Sequence, residues 1–481
     1  MKRRIVALFL LLVICILTLL TSCNWCTMFD GENSDNRNDV QNENPNVNEN
    51  GNQSEDDGDK GDQSEDDVDN DDQSNNTGNV DPGDDYQADL AKINVPERFK
   101  QVYTIDRVKL EQAAEAATEK LKAFANENGT GFLGVSSKNY KYNSSKNNNW
   151  VCGMYTGSYL MAYQLTGDTW FSDVVNSHIE SYIEREAGKI GMDDHDVGFV
   201  FMPSCIGAYK VLGNESARDA AIRAVEYYYN TSYSKEGKFI IRAHKNWSKG
   251  SGCRTMIDSL MNASLFFWAG SNLDNSDYFN AGYDHNLTSI DLLIRDDAST
   301  YHHYQFDSAT SKPLYGLTWQ GYSNESCWAR GHSWGIYGFS IAYSYTKDDR
   351  IMNVQRDLTY YMLNHLPDDL IPYWDYTFIS GNEPRDSSAA AIAVCGMLDM
   401  AAALPEGSAQ RTVYESAAAQ IMEALIDKCT TDIGVEYDGL IHSVTHAKPQ
   451  GTAISECAPY ADYFYLEALA RFLKKDFIRP W

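Results

Sequence analysis

The sequence predicts an all-α protein, an (α/α)6 barrel preceded by a disordered acidic linker. From about Val95 onward, apolar residues recur at three- and four-residue steps, the spacing of an amphipathic helix. Six stretches of this part have the pattern of helical hairpins, and strand signals are few. Closing six hairpins into a ring removes the open ends that a helical solenoid has to cap, and no capping repeat is visible.

The N-terminal segment predicts a lipoprotein signal peptide over residues 1–22. A basic cluster at residues 2–4 precedes the apolar run Ile5–Leu20, which is shorter than the roughly 20 residues that cross a bilayer. The run leads into a Leu-Thr-Ser-Cys sequence that resembles a bacterial lipobox and ends at Cys23. Because several acyl chains on one cysteine give stable anchoring, we expect a membrane lipoprotein that faces the periplasm or the cell surface.

Residues 23–94 are expected to form a disordered tether between the lipidated cysteine and a globular domain at 95–481. The whole chain has 40 basic and 68 acidic residues and a net charge of −28, and residues 27–85 hold 20 of the acids against two bases. Such a segment has almost nothing to bury. Its DQSEDD repeat lacks the ligand order of a calcium loop. The acidic charge also excludes a nucleic-acid partner, because that affinity depends on Lys and Arg.

The helices of the barrel can be placed in chain order. A first helix is expected near Arg107–Asn126, and then come six hairpins, each a helix rich in small and aromatic residues, a short polar turn and a second helix. Gly, Ala and Ser in the first helices suit the crowding around a barrel axis. The clearest strand signals lie in the insert Ser299–Gly321. The first helices end within the stretches 157–168, 205–214, 264–272, 338–348, 394–404 and 462–472.

The cysteines of the domain predict buried free thiols. They are widely scattered, without a CxxC pair or a CxxH spacing, so neither a zinc site nor a dense disulfide framework is indicated. Their neighbours are mostly apolar or small. The seven are Cys152, Cys205, Cys253, Cys327, Cys395, Cys429 and Cys457.

Two aspartates are the candidates for chemistry. Asp258 precedes the apolar run Leu260–Trp268, and Asp196 stands in the same relation to Val197–Met202. A carboxylate in this position either caps a helix or belongs to a site. Two such groups on successive hairpins could converge at the mouth of the ring. A pair of carboxylates in different environments is what acid–base work on a glycosidic bond requires.

The densest polar and aromatic segment, 318–337, predicts sugar binding. Its aromatic rings alternate with hydrogen-bonding side chains, which suits the apolar faces and polar edges of sugar rings. Arg330 could also hold a carboxylate through its planar fork of donors. The alternating residues are Trp319, Gln320, Trp328, Arg330, His332, Trp334 and Tyr337.

Over Val95–Trp481 the chain resembles glycoside hydrolase family 88, the unsaturated glucuronyl hydrolases. Gln320 lies 18 positions after His302, as in the family. Five segments carry the resemblance, and they stand in the family's order. They are HDVGF at His195–Phe199, IDSLMN around Asp258, RDDASTYHHYQFD at Arg295–Asp307, TWQGYSNESCWARGHSWGIYGF at Thr318–Phe339 and IPYWDYTFISGNEPRDSSAAAIA at Ile371–Ala393.

The resemblance implies an (α/α)6 barrel that needs no metal or other cofactor. Its substrates would be lyase-generated oligosaccharides, of the glycosaminoglycan type, that carry a Δ4,5-unsaturated uronic acid at the non-reducing end. Asp258 would protonate C4 and assist attack of water at C5, and Asp196 would hold the uronate and support the protonation state of Asp258. The alternatives are a hydrolase of unsaturated rhamnogalacturonyl fragments of pectin and a non-catalytic glycan-binding lipoprotein.

The resemblance also implies the residues of the sugar subsite. The family aromatic that stacks on the sugar corresponds to Tyr155, where the common pattern has Trp, and Trp150 is the other candidate. Arg385-Asp386-Ser387-Ser388 either caps a helix or touches substrate. The predicted substrate-binding residues are Trp150, Tyr155, His195, His302, Gln320, Trp328, Arg330 and Trp334.

Overall fold

The computed structural model describes residues 94–242, 253–434 and 436–481. The signal peptide, the lipidation site Cys23 and the acidic linker up to residue 93 lie outside these ranges, so they stay predictions. Within the described ranges, no helix is both long and apolar enough to span a bilayer. The seven domain cysteines are all buried and free, which confirms the prediction made for them.

Helices make up most of the domain, and the predicted hairpins are present. The helix bounds agree with the expected turns, and the first helix continues two residues further than expected. One inner helix is interrupted by a π-helical turn at Met202–Ile206. The helices are α1 (Arg107–Asn128), α2 (Cys152–Thr166), α3 (Thr169–Ala187), α4 (Val197–Phe201), α5 (Gly207–Leu212), α6 (Glu215–Ser232), α7 (Ser259–Asn262), α8 (Ser264–Asn272), α9 (Ser276–Leu293), α10 (Ala329–Thr346), α11 (Asp349–His365), α12 (Ser387–Ala403), α13 (Ala409–Cys429) and α14 (Pro459–Leu473).

The hairpins form a closed ring of inner helices surrounded by outer helices. Going round the ring, α2, α4–α5, α7–α8, α10, α12 and α14 each pack against the next, and α14 packs back against α2. The inner helices α10, α12 and α14 are buried on nearly all sides. The outer helices expose one face, as expected of amphipathic helices. This is the predicted (α/α)6 barrel.

The sixth hairpin differs from the prediction. A second helix was expected after the inner helix α14, but only eight residues follow Leu473, and none of them is helical. The partner of α14 is α1, from the beginning of the domain. Pairing the first and last helices buries the apolar face of α1, including Leu110 and Leu121, and completes the outer layer.

Glycines on the inner helices permit the crowding around the axis. A Cβ atom on Gly198 would lie 2.5 Å from the backbone of Asn262, and one on Gly153 would lie 2.2 Å from the carbonyl oxygen of Phe199. Both distances are far below ordinary contact, so α2, α4 and α7 approach one another more closely than any larger residue allows. The small residues of the inner helices thus have the role that the sequence indicated.

The described residues also form two small antiparallel sheets, one of two strands and one of three. β1 (Tyr233–Ser234) pairs with β2 (Phe239–Ile240). β3 (Cys253–Met256), β4 (His303–Phe306) and β5 (Pro313–Leu317) form a second sheet in that order. The β4–β5 hairpin lies in the insert where strands were expected, whereas β1, β2 and β3 gave no clear sequence signal. This sheet positions the residues just before α7 and α10.

Candidate active site

A cavity of about 260 Å³ opens where the inner helices begin. Trp150, Asp196, Asp258 and Trp328 each stand one or two residues before an inner helix, so helix N-termini surround the cavity. Helix N-termini carry partial positive charge and favour an anionic ligand. The cavity is lined by Trp150, Asp194, His195, Asp196, Phe199, Arg242, Met256, Asp258, Trp319, Gln320, Trp328, Arg330, Trp334 and His446.

Asp258 is a buried carboxyl group held in the cavity rather than a helix cap. It stands immediately before α7, but its side chain accepts no capping hydrogen bond. Its Oδ2 atom is buried and has no hydrogen-bond partner in the part of the chain that the structure describes. Burial raises the pKa of Asp258, although the charges of His195 and Arg330 oppose the shift. A carboxyl group that keeps its proton to higher pH is suited to act as a general acid.

Asp196 belongs to a row of three side chains with His195 in the middle. His195 Nδ1 lies 2.5 Å from Asp194 Oδ1, and His195 Nε2 lies 3.3 Å from Asp196 Oδ1. Burial alone would lower the pKa of His195, but the two carboxylates outweigh burial and raise it. Burial raises the pKa of Asp196 to about 6, against the opposing charge of His195. The pKa of Asp194 is lowered, because His195 and Arg242 offset its burial.

This row could be mistaken for a metal site, since its ligand atoms lie within 4.8 Å of one another. However, both ring nitrogens of His195 face carboxylates, and a protonated imidazole has no lone pair to offer a metal. The arrangement is better explained as an imidazolium that offsets two carboxylates.

Asn262 ties the two aspartate segments together. Its Oδ1 accepts a hydrogen bond from the backbone N–H of Phe199 at 2.6 Å, and its Nδ2 donates to the backbone oxygen of Asp258 at 3.1 Å. Phe199 follows Asp196 by three residues. One buried amide thus fixes the separation of α4 and α7, and with it the separation of the two carboxyl groups.

His302 lies behind Asp258 as a neutral hydrogen-bond donor. Its Nδ1 accepts hydrogen bonds from the backbone N–H groups of Trp319 and Gln320, both at 3.2 Å, so the ring proton is on Nε2. Nε2 lies 4.0 Å from Asp258 Oδ2. Burial keeps the pKa of His302 well below its usual value. The Trp328 ring packs against His302 with centroids 4.5 Å apart.

Arg330 lines the cavity, but protein acceptors occupy two of its nitrogens. One terminal nitrogen donates to Asp386 Oδ2 at 2.6 Å and to the backbone oxygen of Thr445 at 2.8 Å. The other donates to the backbone oxygen of His446. Asp386 also caps α12 through the backbone N–H of Ser388, so the capping interpretation of this segment is the correct one. Arg330 therefore contributes charge to the cavity and fixes its wall, and three of its N–H groups donate to the protein.

Trp150 supplies the aromatic wall, and Tyr155 does not reach the cavity. The Trp150 ring stacks on Tyr460 at 5.0 Å and contacts Phe199 at 5.5 Å, while Phe199 also packs on Trp334 at 4.9 Å. Tyr155 is buried inside α2, and its hydroxyl lies 2.6 Å from that of Tyr159. It lies more than one helical turn after Trp150, which carries it below the mouth. Of the two stacking candidates, Trp150 is the one in the cavity.

Comparison with known proteins agrees with this geometry. The model of Glycosyl Hydrolase Family 88 matches residues 130–471. The chain belongs to this family. Its barrel, with both aspartates in one cavity, is therefore that of a glycoside hydrolase.

Named relatives and solved structures match most of the chain. The unsaturated chondroitin disaccharide hydrolase of Streptococcus pneumoniae is 34% identical over 387 residues, 80% of this chain and 97% of the relative. The unsaturated glucuronyl hydrolase of Bacillus sp. strain GL1 is 32% identical over 350 residues, 71% of this chain and 91% of the relative. The structure of the Streptococcus agalactiae unsaturated glucuronyl hydrolase is 33% identical, has a TM-score of 0.77 and covers 81% of this chain and 98% of that one.

Six cavity residues of this family 88 member were absent from the predicted catalytic and substrate-binding set, although Phe199 and Trp319 stand in the segments that carried the resemblance. Asp194 had a signal, because it adjoins His195 in an acidic run. Arg242 had none, since only the pairing of its backbone N–H with the oxygen of Arg254, at 2.9 Å, brings it to β3. Its Nε lies 3.8 Å from Asp194 Oδ1. Met256 and His446 likewise reach the cavity through the sheet and through the loop before α14.

Proposed function

We propose that the enzyme removes the Δ4,5-unsaturated uronic acid from the non-reducing end of lyase-generated oligosaccharides of the glycosaminoglycan type. The observation that carries this proposal is the buried Asp258 carboxyl, whose Oδ2 atom has no hydrogen-bond partner among the described residues, in one cavity with Asp196. The pKa values of both groups are raised. The relatives support the substrate class by name. A variant of the Streptococcus agalactiae enzyme, 31% identical with a TM-score of 0.72, was solved with dGlcA-GalNAc6S and covers 81% of this chain and 98% of its own.

The reaction begins at the enol ether of the unsaturated sugar. Asp258 gives its proton to C4, positive charge develops at C5 and the ring oxygen, and a water molecule adds to C5 as Asp258 takes up its proton. The product is a hemiketal at C5. It collapses by opening the ring, which leaves a hemiacetal at C1 that releases the neighbouring sugar. Asp258 regains its proton in each cycle, so this side chain and the one water molecule that is consumed account for the proton balance of the reaction.

The neighbouring groups support both stages of this reaction. His302, with its proton on Nε2, lies 4.0 Å from Asp258 Oδ2, so a small movement of either side chain would bring the two within hydrogen-bond distance. His195, Arg242 and Arg330 place positive charge around a pocket that accepts an acidic sugar. The Trp150 ring offers an apolar face to the sugar ring. Local charge is needed because the chain as a whole is strongly acidic.

Loss of the near-ultraviolet absorbance of the C4=C5 bond tests the function. We expect wild-type protein to remove this absorbance from unsaturated chondroitin or hyaluronan disaccharides. Asp258→Asn should lower kcat by roughly 10²–10⁴-fold without changing the circular dichroism spectrum, because it removes only the transferable proton. Turnover of an unsaturated galacturonyl-rhamnose disaccharide alone would favour pectin fragments. Glycan binding without any turnover would contradict the enzymatic proposal.

We also propose that the enzyme is a bacterial membrane lipoprotein anchored through Cys23 and facing the periplasm or cell surface. The sequence before Cys23 supports this, although it lies outside the described residues. Cys23→Ser should move the protein from the membrane fraction to the soluble fraction and abolish labelling by a fatty-acid probe. Cys26→Ser, three residues away, is the matched control and should leave both unchanged. Membrane association of Cys23→Ser equal to that of the wild type would contradict the proposal.

A further inference from the structure

The cavity is too small for an oligosaccharide, so most of the substrate has to lie outside it. Its volume of about 260 Å³ is below the roughly 300–1,000 Å³ of pockets that enclose drug-sized ligands. If the proposed function holds, the terminal unsaturated sugar occupies this space. The sugars that follow it then lie on the protein surface at the mouth, and the residues of that surface determine how long a chain the enzyme holds.

Aromatic side chains continue from the mouth onto the surface. Trp319 lines the cavity and is nevertheless 50% exposed. Three residues later, Tyr322 is 58% exposed, and its ring meets that of Phe378 edge to face at 5.1 Å. The buried ring of Trp374 lies beneath, stacked on Phe378 at 5.9 Å. Large aromatic rings are seldom left exposed in a row, and such patches usually mark a ligand-binding surface.

The loop that presents Tyr322 is held firmly in place. The backbone N–H of Tyr322 donates to the buried carboxylate of Asp375 at 2.9 Å, and the hydroxyl of Ser326 donates to the same oxygen at 2.7 Å. The backbone N–H of Thr318 donates to the side chain of Asn324 at 3.0 Å. These bonds fix the loop backbone before any ligand arrives, as expected of a preorganised binding surface.

A second loop connects the cavity to the same aromatic residues. His446 lines the cavity, and Lys448, two residues later, has its Nζ atom 5.1 Å from the centre of the Trp374 ring. Gln450 Nε2 donates to the backbone oxygen of Trp319 at 2.6 Å. These contacts link the cavity wall to the mouth at Trp319 and to the Trp374 ring that lies beneath the partly exposed rings.

We propose that Tyr322 and Phe378, supported by Trp374, form a saccharide platform that binds the sugars of a longer oligosaccharide beyond the one next to the scissile bond. Sugar rings present apolar faces to which exposed aromatic rings are complementary. The occupant is the remainder of the substrate chain, because the platform is linked to the cavity that holds its end. The enzyme would then prefer longer chains to disaccharides.

The test compares unsaturated hyaluronan disaccharide with the unsaturated hexasaccharide, which carry no sulfate groups. The double variant Tyr322→Ala/Phe378→Ala should lower the hexasaccharide-to-disaccharide ratio of kcat/KM about tenfold, mainly through the KM of the hexasaccharide. Tyr322→Phe keeps the ring and should keep the ratio. Tyr103→Ala removes an exposed tyrosine far from the cavity, beside Glu423, and should change neither ratio nor activity.

The outcomes separate the platform from the proposed function. An unchanged ratio in the double variant, including an equal loss on both substrates, overturns the platform. Failure of the wild-type enzyme to turn over any unsaturated disaccharide overturns the proposed function instead. A melting temperature of the double variant equal to that of the wild type verifies that a lowered ratio reflects binding and not folding.

Discussion

His195 determines how the two carboxyl groups of the site share charge. It stands between Asp194 and Asp196, and its backbone oxygen accepts a hydrogen bond from the hydroxyl of buried Tyr228 at 2.7 Å. The charge of His195 lowers the pKa values of both Asp196 and Asp258, against the burial that raises them. Burial thus lets both carboxyl groups keep a proton to higher pH than a free carboxyl group does, and the charge of His195 limits this effect in each of them.

His195→Gln should shift the pH profile of kcat/KM to higher pH. Removing the imidazolium removes an opposing charge from both carboxyl groups, so both pKa values rise. The ionisation of Asp196, whose pKa is about 6, and that of Asp258 should both move to higher pH, and the limbs of the profile should move with them. Rates on unsaturated disaccharide between pH 4 and 9 measure the shift.

His178→Gln is the control for this variant. His178 is also buried, but burial lowers its pKa to about 4, so it carries no charge at neutral pH. Its two ring nitrogens form hydrogen bonds with the hydroxyl of Thr156 and with the backbone oxygen of Thr130. Its replacement should leave both limbs in place. An unshifted profile in His195→Gln would mean that His195 is neutral.

At the scale of elements, the close crossing of α4 and α7 fixes the distance between the aspartates. Gly198 lies two residues after Asp196 and against the backbone of Asn262, four residues after Asp258. The two side-chain hydrogen bonds of Asn262 need the same close approach. The separation of the two aspartates at the cavity mouth is thus a consequence of the packing of α4 against α7, one helical turn below.

Gly198→Ala should damage both stability and catalysis. The added methyl group would lie 2.5 Å from backbone atoms of Asn262, which cannot move aside as a side chain does. We expect a loss of unfolding free energy of at least about 2 kcal/mol, with a lowered kcat in the protein that remains folded. Urea unfolding and disaccharide turnover measure the two effects.

Gly131→Ala provides the matched substitution. A methyl group there meets no atom within 4 Å, so stability and turnover should stay close to wild type. Equal behaviour of the two variants would show that α4 and α7 can separate without cost.

The sequence predicted the elements and site residues that leave a local pattern. Asp196 and Asp258 were found because each stands at the head of an apolar run, within a segment that carries the family resemblance. The hairpin turns were found because polar residues interrupt helical periodicity. Arg242 was missed because only the tertiary pairing with β3 brings it to the cavity. Tyr155 was included because the resemblance places the family's stacking aromatic there. The sequence does not show how far below the end of the helix this side chain lies. The hydrogen bond that Arg330 donates to Asp386 could not be predicted either, because the two residues are 56 positions apart in the chain.

At the scale of the whole molecule, Asp462 makes stability depend on pH. This buried carboxyl group near the start of α14 accepts hydrogen bonds from Tyr142 and from the backbone N–H groups of Leu440 and Ile441. Burial outweighs these bonds and raises its pKa to about 7. Because the folded pKa exceeds the unfolded one, the stabilisation is fully present below about pH 4 and is lost as pH rises through 7.

Asp462→Asn should make the protein less sensitive to alkaline pH. The wild-type unfolding free energy should lose roughly 2–3 kcal/mol from this group between pH 5 and 8, and the amide, which does not ionise, should remove that part of the loss. Urea unfolding at both pH values gives the comparison. If the unfolding free energy fell by the same amount in both proteins between these pH values, the pH dependence would come from other groups.

The pairing of α1 with α14 also dictates the order of folding. These helices, which complete the ring, are more than 300 residues apart in the chain. During synthesis α1 emerges early and has to wait for its partner until almost the whole domain has been made. Closing so long a loop is slow, and the apolar face of α1 stays accessible to chaperones or to aggregation until then.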